Sequence, residues 1–164
     1  MPYYPGSFLV ARPMLQDPNF RQTVVLLLQH LSDGALGLVV NRPAKVKASP
    51  FPIFNGGPCS AAGLLMLHGQ AEWQTGPKQQ KPVAPGIWLG NAECLQHVTD
   101  APDADFRYRI FTGYAGWGGG QLESEFAAGA WLIVPAAGAL LFDTPHKDLW
   151  DLLGAPRLPS FSVN

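Results

Sequence analysis

The segment "TVVLLLQHLSDGALGLVVN", residues 23–41, decides the fold that we predict for this chain. Its two apolar runs, residues 23–31 and 36–41, flank a Ser-Asp-Gly turn, which is the pattern of a β-hairpin. Both runs carry apolar residues at consecutive positions instead of alternate ones, which indicates strands that are covered on both faces. We therefore expect the hairpin to lie at the centre of a sheet.

Short apolar stretches bounded by glycine and proline predict the remaining elements. We expect Asn91 to cap one helix. We expect Asp143 or Thr144 to cap the last helix, with Pro145 at its first position. The predicted strands are residues 7–12, 63–69, 87–90, 106–114 and 131–136, and the predicted helices are residues 91–98, 121–129 and 145–154.

The predicted strand that begins at Phe106 has a clear period of two. Phe106, Tyr108 and Ile110 fall on one face, and Arg107 and Arg109 fall on the other. This period is typical of a half-buried strand.

Two stretches are predicted to be loops. Residues 43–58 contain four prolines and are expected to be irregular, and the polar residues 71–86 are expected to form a mobile exposed loop. Strands thus dominate, with short helices late in the chain, and this order predicts an α+β fold.

The composition limits the broad class of protein. A chain of 164 residues that is 47% hydrophobic suits one domain over residues 1–164. Its formal net charge of −1 lacks the basic excess of most nucleic-acid-binding domains. The N-terminus does not have the pattern of a signal peptide, and no apolar run is long enough to span a bilayer. We therefore expect a cytoplasmic protein with reduced thiols at Cys59 and Cys94.

The glycine-rich segment "GYAGWGGGQLESE", residues 113–125, fails the tests for known phosphate loops. It matches neither the dinucleotide fingerprint nor the P-loop, and no lysine or arginine occurs between Ile110 and His146. We interpret its glycines as serving the backbone geometry of a strand-to-helix junction. A pocket walled by Tyr114 and Trp117 is the open alternative.

An enzyme is the second interpretation of the sequence. Cys59 is a candidate nucleophile with His30 or His68 as its base. The carboxylates of Asp17, Glu123 and Asp143 are candidates for acid–base catalysis. The spacing of the histidines and cysteines predicts neither a metal site nor a cofactor.

Four segments together are similar to the YqgE/AlgH family, also called UPF0301. The resemblance implies a small bacterial cytosolic protein of an uncharacterised family. The resemblance implies a bifurcated β-sheet that is curled into a pseudo-barrel with a few short helices packed on it, and it brings no assigned catalytic residue. The four segments are "GSFLVARPMLQDPNFRQTVVLLLQHLSDGALGLVVNRP" (6–43), "NGGPC" (55–59), "GYAGWGGGQLESE" (113–125) and "LLFDTPHKDLW" (140–150).

The sequence also departs from this family's pattern. Many relatives carry a Glu-Arg pair where this chain has "SAAGL" (60–64), and many have a Gly-His-Ala-like tail where this chain has "PSFSVN" (159–164). Some members are labelled as transcriptional regulators. Direct DNA binding is disfavoured here because the sequence shows no helix-turn-helix pattern.

The leading functional prediction is a non-catalytic module that binds a protein partner or a small ligand, with no membrane association. The residues that match the family pattern are mostly glycine, proline or aromatic with few titratable groups, and aromatic residues with little charge make good contact surfaces. The enzyme and the transcriptional regulator are the alternatives, and the sequence leaves the oligomeric state open. The candidate binding residues are Tyr114, Trp117, Gln121, Asn41 and Cys59.

Overall fold

A computed structural model describes residues 3–46, 49–74 and 81–154 of the chain. In these ranges the backbone forms nine strands, four α-helices and one 3₁₀ turn at Ala71–Trp73. The strands are β1 Ser7–Ala11, β2 Val24–Leu31, β3 Gly34–Val39, β4 Ile53–Asn55, β5 Leu65–His68, β6 Trp88–Leu89, β7 Tyr108–Thr112, β8 Ala115–Gly118 and β9 Trp131–Pro135. The helices are α1 Ala92–Asp100, α2 Gln121–Ala127, α3 Gly138–Phe142 and α4 His146–Leu152.

The predicted hairpin is the centre of the larger sheet. Its strands, β2 and β3, pair antiparallel with Leu26 opposite Leu38, and the five-stranded order is β8-β3-β2-β1-β9. A register shift between Leu27 and Gln29 interrupts the pairing. The central position predicted from the two consecutive apolar runs is confirmed.

Successive residues of β1 and β2 point into two different cores. Phe8 and Leu26 pack in a core that also holds residues of the second sheet, α3 and α4. Leu9 and Val25 pack in a core on the opposite face, against Leu122 of α2. All four side chains on the central strands are fully buried, so both faces are covered as predicted.

The second sheet has the order β4-β7-β5-β6. Strand β4 pairs parallel with β7, with Phe54 opposite Phe111. The outer face of this second sheet packs against α1 in a third core, which contains Ile110, Cys94 and Val98. The layers therefore run from α2 through the five-stranded and four-stranded sheets to α1, with α3 and α4 contributing to the central core.

The alternation of β7 is confirmed, but the polar face is not half-exposed as predicted. Ile110 and Tyr108 face the core under α1, whereas Arg107 is exposed. Arg109 is only 8% exposed. The half-buried interpretation is wrong for Arg109 because the opposite face of β7 is covered by the central core.

Several smaller predictions need correction. Residues 43–58 are not wholly irregular, since they contain β4, and the glycine-rich segment contains a complete strand, β8. Helix α3 was not predicted. Pro145 occupies the N-cap position of α4 without a side-chain cap, and Asp143 instead pairs with Arg107.

Two other local predictions hold. The side chain of Asn91 accepts a hydrogen bond from the backbone N–H of Cys94 at 3.0 Å, so Asn91 caps α1. Gly129 follows α2 with a φ of +78°, as expected for the residue that ends a helix. Of the sixteen residues in the loop predicted at 71–86, the six at 75–80 lie outside the described ranges. The other ten are not a wholly exposed loop, since they include the 3₁₀ turn and the buried Ala84.

The strand-rich α+β class is confirmed. Over the described ranges the strands form two sheets, neither of which closes on itself, and the curling into a pseudo-barrel stays a prediction. Among the helices of these ranges, none has the length and apolarity that a membrane crossing requires.

Candidate functional site

The glycine-rich segment crosses residues 55–59 with backbone against backbone. The N–H of Cys59 donates to the carbonyl of Tyr114 at 2.9 Å, and the N–H of Tyr114 donates to the carbonyl of Cys59 at 3.0 Å. Gly57 has a φ of +148°, and a Cβ at this position would overlap the carbonyl group of Tyr114. At this crossing the glycine is required by geometry, which supports the structural interpretation of the segment.

Cys59 and Tyr114 meet beside a cleft of about 350 Å³. Cys59 is a free, half-buried thiol, and Lys45 and Asn55 line the same cleft. The cleft-lining residues include no histidine. The structure therefore brings two of the candidate residues together without a neighbouring base for the thiol.

The two histidines proposed as bases have other partners. His30 Nδ1 accepts a hydrogen bond from the N–H of Tyr4 at 3.2 Å. Its Nε2 lies 3.4 Å from Glu123 Oε2, without the alignment of a hydrogen bond. His68 Nδ1 accepts from the N–H of Gln70 at 3.1 Å, and its Nε2 lies 3.0 Å from the side-chain nitrogen of Gln74. Both rings are thus committed away from Cys59.

The three candidate carboxylates serve separate local contacts. Asp17 accepts from the N–H of Asn19 at 2.7 Å, Glu123 faces His30, and Asp143 pairs with Arg107 at 2.6 Å. Among the described residues, no group of three histidine, cysteine or acidic side chains could hold a metal ion. The acid–base pair that the enzyme alternative needs is not assembled from these residues.

Trp117 and Gln121 both hydrogen-bond to the half-buried Glu125, although Gln121 itself is exposed. Glu125 Oε1 accepts the indole N–H of Trp117 at 3.0 Å and that of Trp131 at 2.9 Å. Gln121 donates to Glu125 Oε2 at 3.3 Å and accepts from the N–H of Gly118 at 3.0 Å. Trp117 is only 5% exposed, so the structure places it in a core and not on an accessible surface.

Asn41 lies apart from the other candidates, in a cleft of about 380 Å³. Three cations line this cleft, Arg21, Arg42 and Lys147, together with one carboxylate, Asp151. His146 and Lys147 come from the first turn of α4, whereas Arg21 comes from the loop before β2 and Arg42 from the loop after β3. We call this cleft the cationic cleft; its other lining residues are Gln22, His146 and Trp150.

Asn41 builds the wall of the cationic cleft. Its side-chain oxygen accepts from the N–H of Val24 at 2.9 Å, and its amide donates to the carbonyl of Gln22 at 3.0 Å. Gln22 has a φ of +56°, the sole positive φ of a non-glycine residue in the described ranges. Asn41 therefore satisfies the backbone on both sides of a strained turn.

Arg42 is fixed by neutral acceptors. Its guanidinium donates to the carbonyls of Pro18 at 3.1 Å, Asn19 at 2.6 Å and Arg21 at 2.8 Å. Burial and the positive charge of Arg21 lower the pKa of Arg42, and the negative charge of Asp17 opposes them. The side chain is held in place while its charge is only partly compensated.

The sequence identified Asn41 but missed the cleft. No local sequence pattern signals the cleft, because Lys147 joins Arg21 and Arg42 only through the packing of α4. Arg109, which is buried near α4, and Glu125, which bridges two indoles, were missed for the same reason.

Known proteins match this chain over nearly its whole length. Residues 8–154 match the family model described as AlgH-like. A UPF0301 protein of Streptomyces coelicolor is 42% identical, covering 88% of this chain and 82% of its own. A UPF0301 protein of Nitrosococcus oceani is 36% identical, covering 94% of this chain and 90% of its own.

Two solved structures share the fold. The solution structure of the AlgH protein from Pseudomonas aeruginosa superposes with a TM-score of 0.70 at 29% identity, covering 97% of this chain and 93% of that one. A crystal structure of a Corynebacterium diphtheriae protein superposes with a TM-score of 0.77 at 21% identity, covering 100% of this chain and 94% of that one. The second likeness concerns the fold alone.

Proposed function

The chain belongs to the AlgH-like family, and from the geometry of its cationic cleft we propose that it is a non-catalytic module that binds a small anionic ligand. The single observation that carries this proposal is the convergence of Arg21, Arg42 and Lys147 on one cleft. Like charges repel when they are held close together, so an anion between them would relieve the repulsion.

The frame of the cleft supports binding without large rearrangement. Arg42 is anchored by three carbonyls and Asn41 by two further hydrogen bonds, so little side-chain entropy remains to be lost there. Arg21 and Lys147 complete the cationic lining, and Asp151 sets a limit on the negative charge that the cleft tolerates. A volume of about 380 Å³ falls in the range of small-ligand sites.

A small ligand suits the cleft better than a nucleic acid does. Three cations contact few phosphates, and the formal charge of −1 for the whole chain supplies no further attraction. The free thiols of Cys59 and Cys94 are compatible with a cytosolic setting, which we include in the proposal.

Isothermal titration with inorganic pyrophosphate tests the cleft. We expect Arg21→Gln and Lys147→Gln each to weaken binding by about tenfold, since a charge-assisted hydrogen bond contributes roughly 1.5–3 kcal/mol. Lys45→Gln is the matched control, because Lys45 is a cation that lines a different cleft. Circular dichroism of each variant verifies folding.

The control decides between a built site and general surface charge. Equal weakening by Lys45→Gln, or no measurable binding by the unaltered protein, would refute the proposal. A mobility shift with a DNA duplex at low salt that Lys147→Gln abolishes would favour the regulator alternative instead.

A further inference from the structure

Arg109 is a buried guanidinium on β7 that the cationic cleft does not use. Its Nη1 donates to the carbonyl of Val40 at 2.7 Å, and its Nη2 donates to the carbonyl of Thr144 at 3.1 Å. Its Cζ lies 5.1 Å from the centroid of the Phe54 ring. These contacts fix the plane of the guanidinium but are all made to neutral groups.

No carboxylate of the described residues pairs with Arg109. In these ranges the carboxylates that lie within 4 Å of a basic side chain are Glu123, beside His30, and Asp143, beside Arg107. Burial lowers the pKa of Arg109 to about 10, so the group stays charged at neutral pH. A buried charge that only neutral groups contact keeps a large part of its desolvation cost.

Arg109 lies at a pocket of about 370 Å³ whose other walls are mainly apolar or aromatic. We call it the Arg109 pocket. A guanidinium carries five N–H donors, of which the two carbonyl contacts use two. The remaining donors are suited to a planar carboxylate. The pocket is lined by Pro52, Phe54, Tyr108, Arg109 and His146.

We propose that the Arg109 pocket binds the carboxylate of a small acid that carries an aromatic ring. The carboxylate would pair with Arg109, and the ring would lie against Phe54 and Pro52. This site goes beyond the cationic cleft and does not depend on it, although His146 borders both.

A monoanion fits this pocket better than a phosphate does. Arg109 is one fixed charge among apolar walls, so it compensates one negative charge, and a second would be desolvated without a partner. His146 does not supply the extra charge, because burial and the charges of Arg109 and Lys147 lower its pKa despite the opposing charge of Asp148.

The first test compares benzoate with benzamide on the unaltered protein by isothermal titration and by NMR shifts of the pocket residues. The two probes have the same ring and differ in charge. We expect benzoate to bind at least about tenfold more tightly, and to shift signals of Phe54 and Tyr108. Equal affinities, no benzoate binding, or shifts confined to Arg21 and Lys147 would overturn the proposal.

The second test uses Arg109→Met, with Arg107→Met as the matched control. Arg107 lies just before β7 and Arg109 lies within it, but Arg107 is exposed and paired with Asp143. We expect a loss of about tenfold or more for Arg109→Met and less than about twofold for Arg107→Met. Equal losses would overturn the proposal, and if Arg109→Met does not fold, the comparison of benzoate with benzamide decides alone.

A cross-test separates the two sites. If the proposal is correct, benzoate binding survives Lys147→Gln, and pyrophosphate binding survives Arg109→Met. Loss of benzoate binding in Lys147→Gln would refute the assignment to the Arg109 pocket. A protein that binds benzoate but not pyrophosphate would refute the cationic cleft only.

Discussion

Truncation of Glu125 gives the sharpest test of the core that packs under α2. One oxygen of this carboxylate accepts two indole N–H groups, from Trp117 and Trp131, which are 5% and 4% exposed. Glu125→Ala removes the acceptor and leaves both donors without it. The variant is therefore expected to be strongly destabilised even though alanine favours a helix.

The magnitude follows from the two orphaned donors. A buried donor that loses its partner costs about 1–3 kcal/mol, so the pair should cost roughly 2–5 kcal/mol. Glu125→Gln keeps a side-chain oxygen with two lone pairs and should cost about 1 kcal/mol, because a neutral acceptor replaces a charged one. For a chain of this length, a loss of about 3 kcal/mol corresponds to a fall in Tm of roughly 6–12 °C.

Urea unfolding followed by far-ultraviolet circular dichroism gives the free energies. Ser124→Ala, an exposed position in the same helix, is the control and should change the stability by no more than about 0.5 kcal/mol. Glu125→Ala within about 1 kcal/mol of the unaltered protein would show that water replaces the carboxylate. Equal destabilisation by Glu125→Gln and Glu125→Ala would show that charge, and not acceptance, is what the indoles require.

Two further predictions concern the glycine crossing and pH. Gly57→Ala should prevent stable folding, because Gly57 has a positive φ and an added Cβ would overlap Tyr114. Gly118→Ala is the control and should be tolerated, since the atom nearest to an added Cβ is 4.0 Å away. Thermal melts compare the two variants, and similar melting temperatures would contradict the steric argument. Burial is the main cause that lowers the folded-state pKa of His68 below its ordinary value of 6.5, so its contribution to stability is present above pH 6.5 and declines as the pH falls through the lowered pKa. Urea unfolding at a series of pH values from 7.5 to 5 should show a shallower decline for His68→Gln, and an unchanged decline would remove His68 as its cause.

The strongest sequence predictions came from long apolar runs. The hairpin of β2 and β3 could be predicted because its residues are apolar on both faces, and burial on both faces follows directly from that pattern. The cap at Asn91 and the end of α2 at Gly129 could be predicted because they depend on local backbone chemistry.

The missed strands lack such local signals. Strand β4 has three residues between proline-rich neighbours and is specified by its parallel pairing with β7. Strand β8 contains two glycines in four residues, and glycine disfavours strands unless neighbouring backbone requires it. Its pairing with β3 supplies the backbone hydrogen bonds that its own sequence does not predict.

The site residues were missed because their roles arise between distant elements. Arg109 appeared as the polar face of an alternating strand, and only the covering sheet makes it a buried charge. Lys147 and Arg21 are far apart in sequence and meet only because α4 packs beside the loop before β2. Asn41 was identified, but as part of a family pattern and without its two backbone contacts.

The pairing of β1 with β9 has a consequence for synthesis of the chain. Ser7 lies opposite Pro135, so β1 gains its second neighbour only after about 128 more residues have been made. At about 5–20 residues per second, this interval is roughly 6–25 seconds. Until then β1, whose mature form is buried on both faces, has an open edge that another copy can pair with. During synthesis the nascent chain therefore exposes an apolar strand edge that β9 covers in the completed protein.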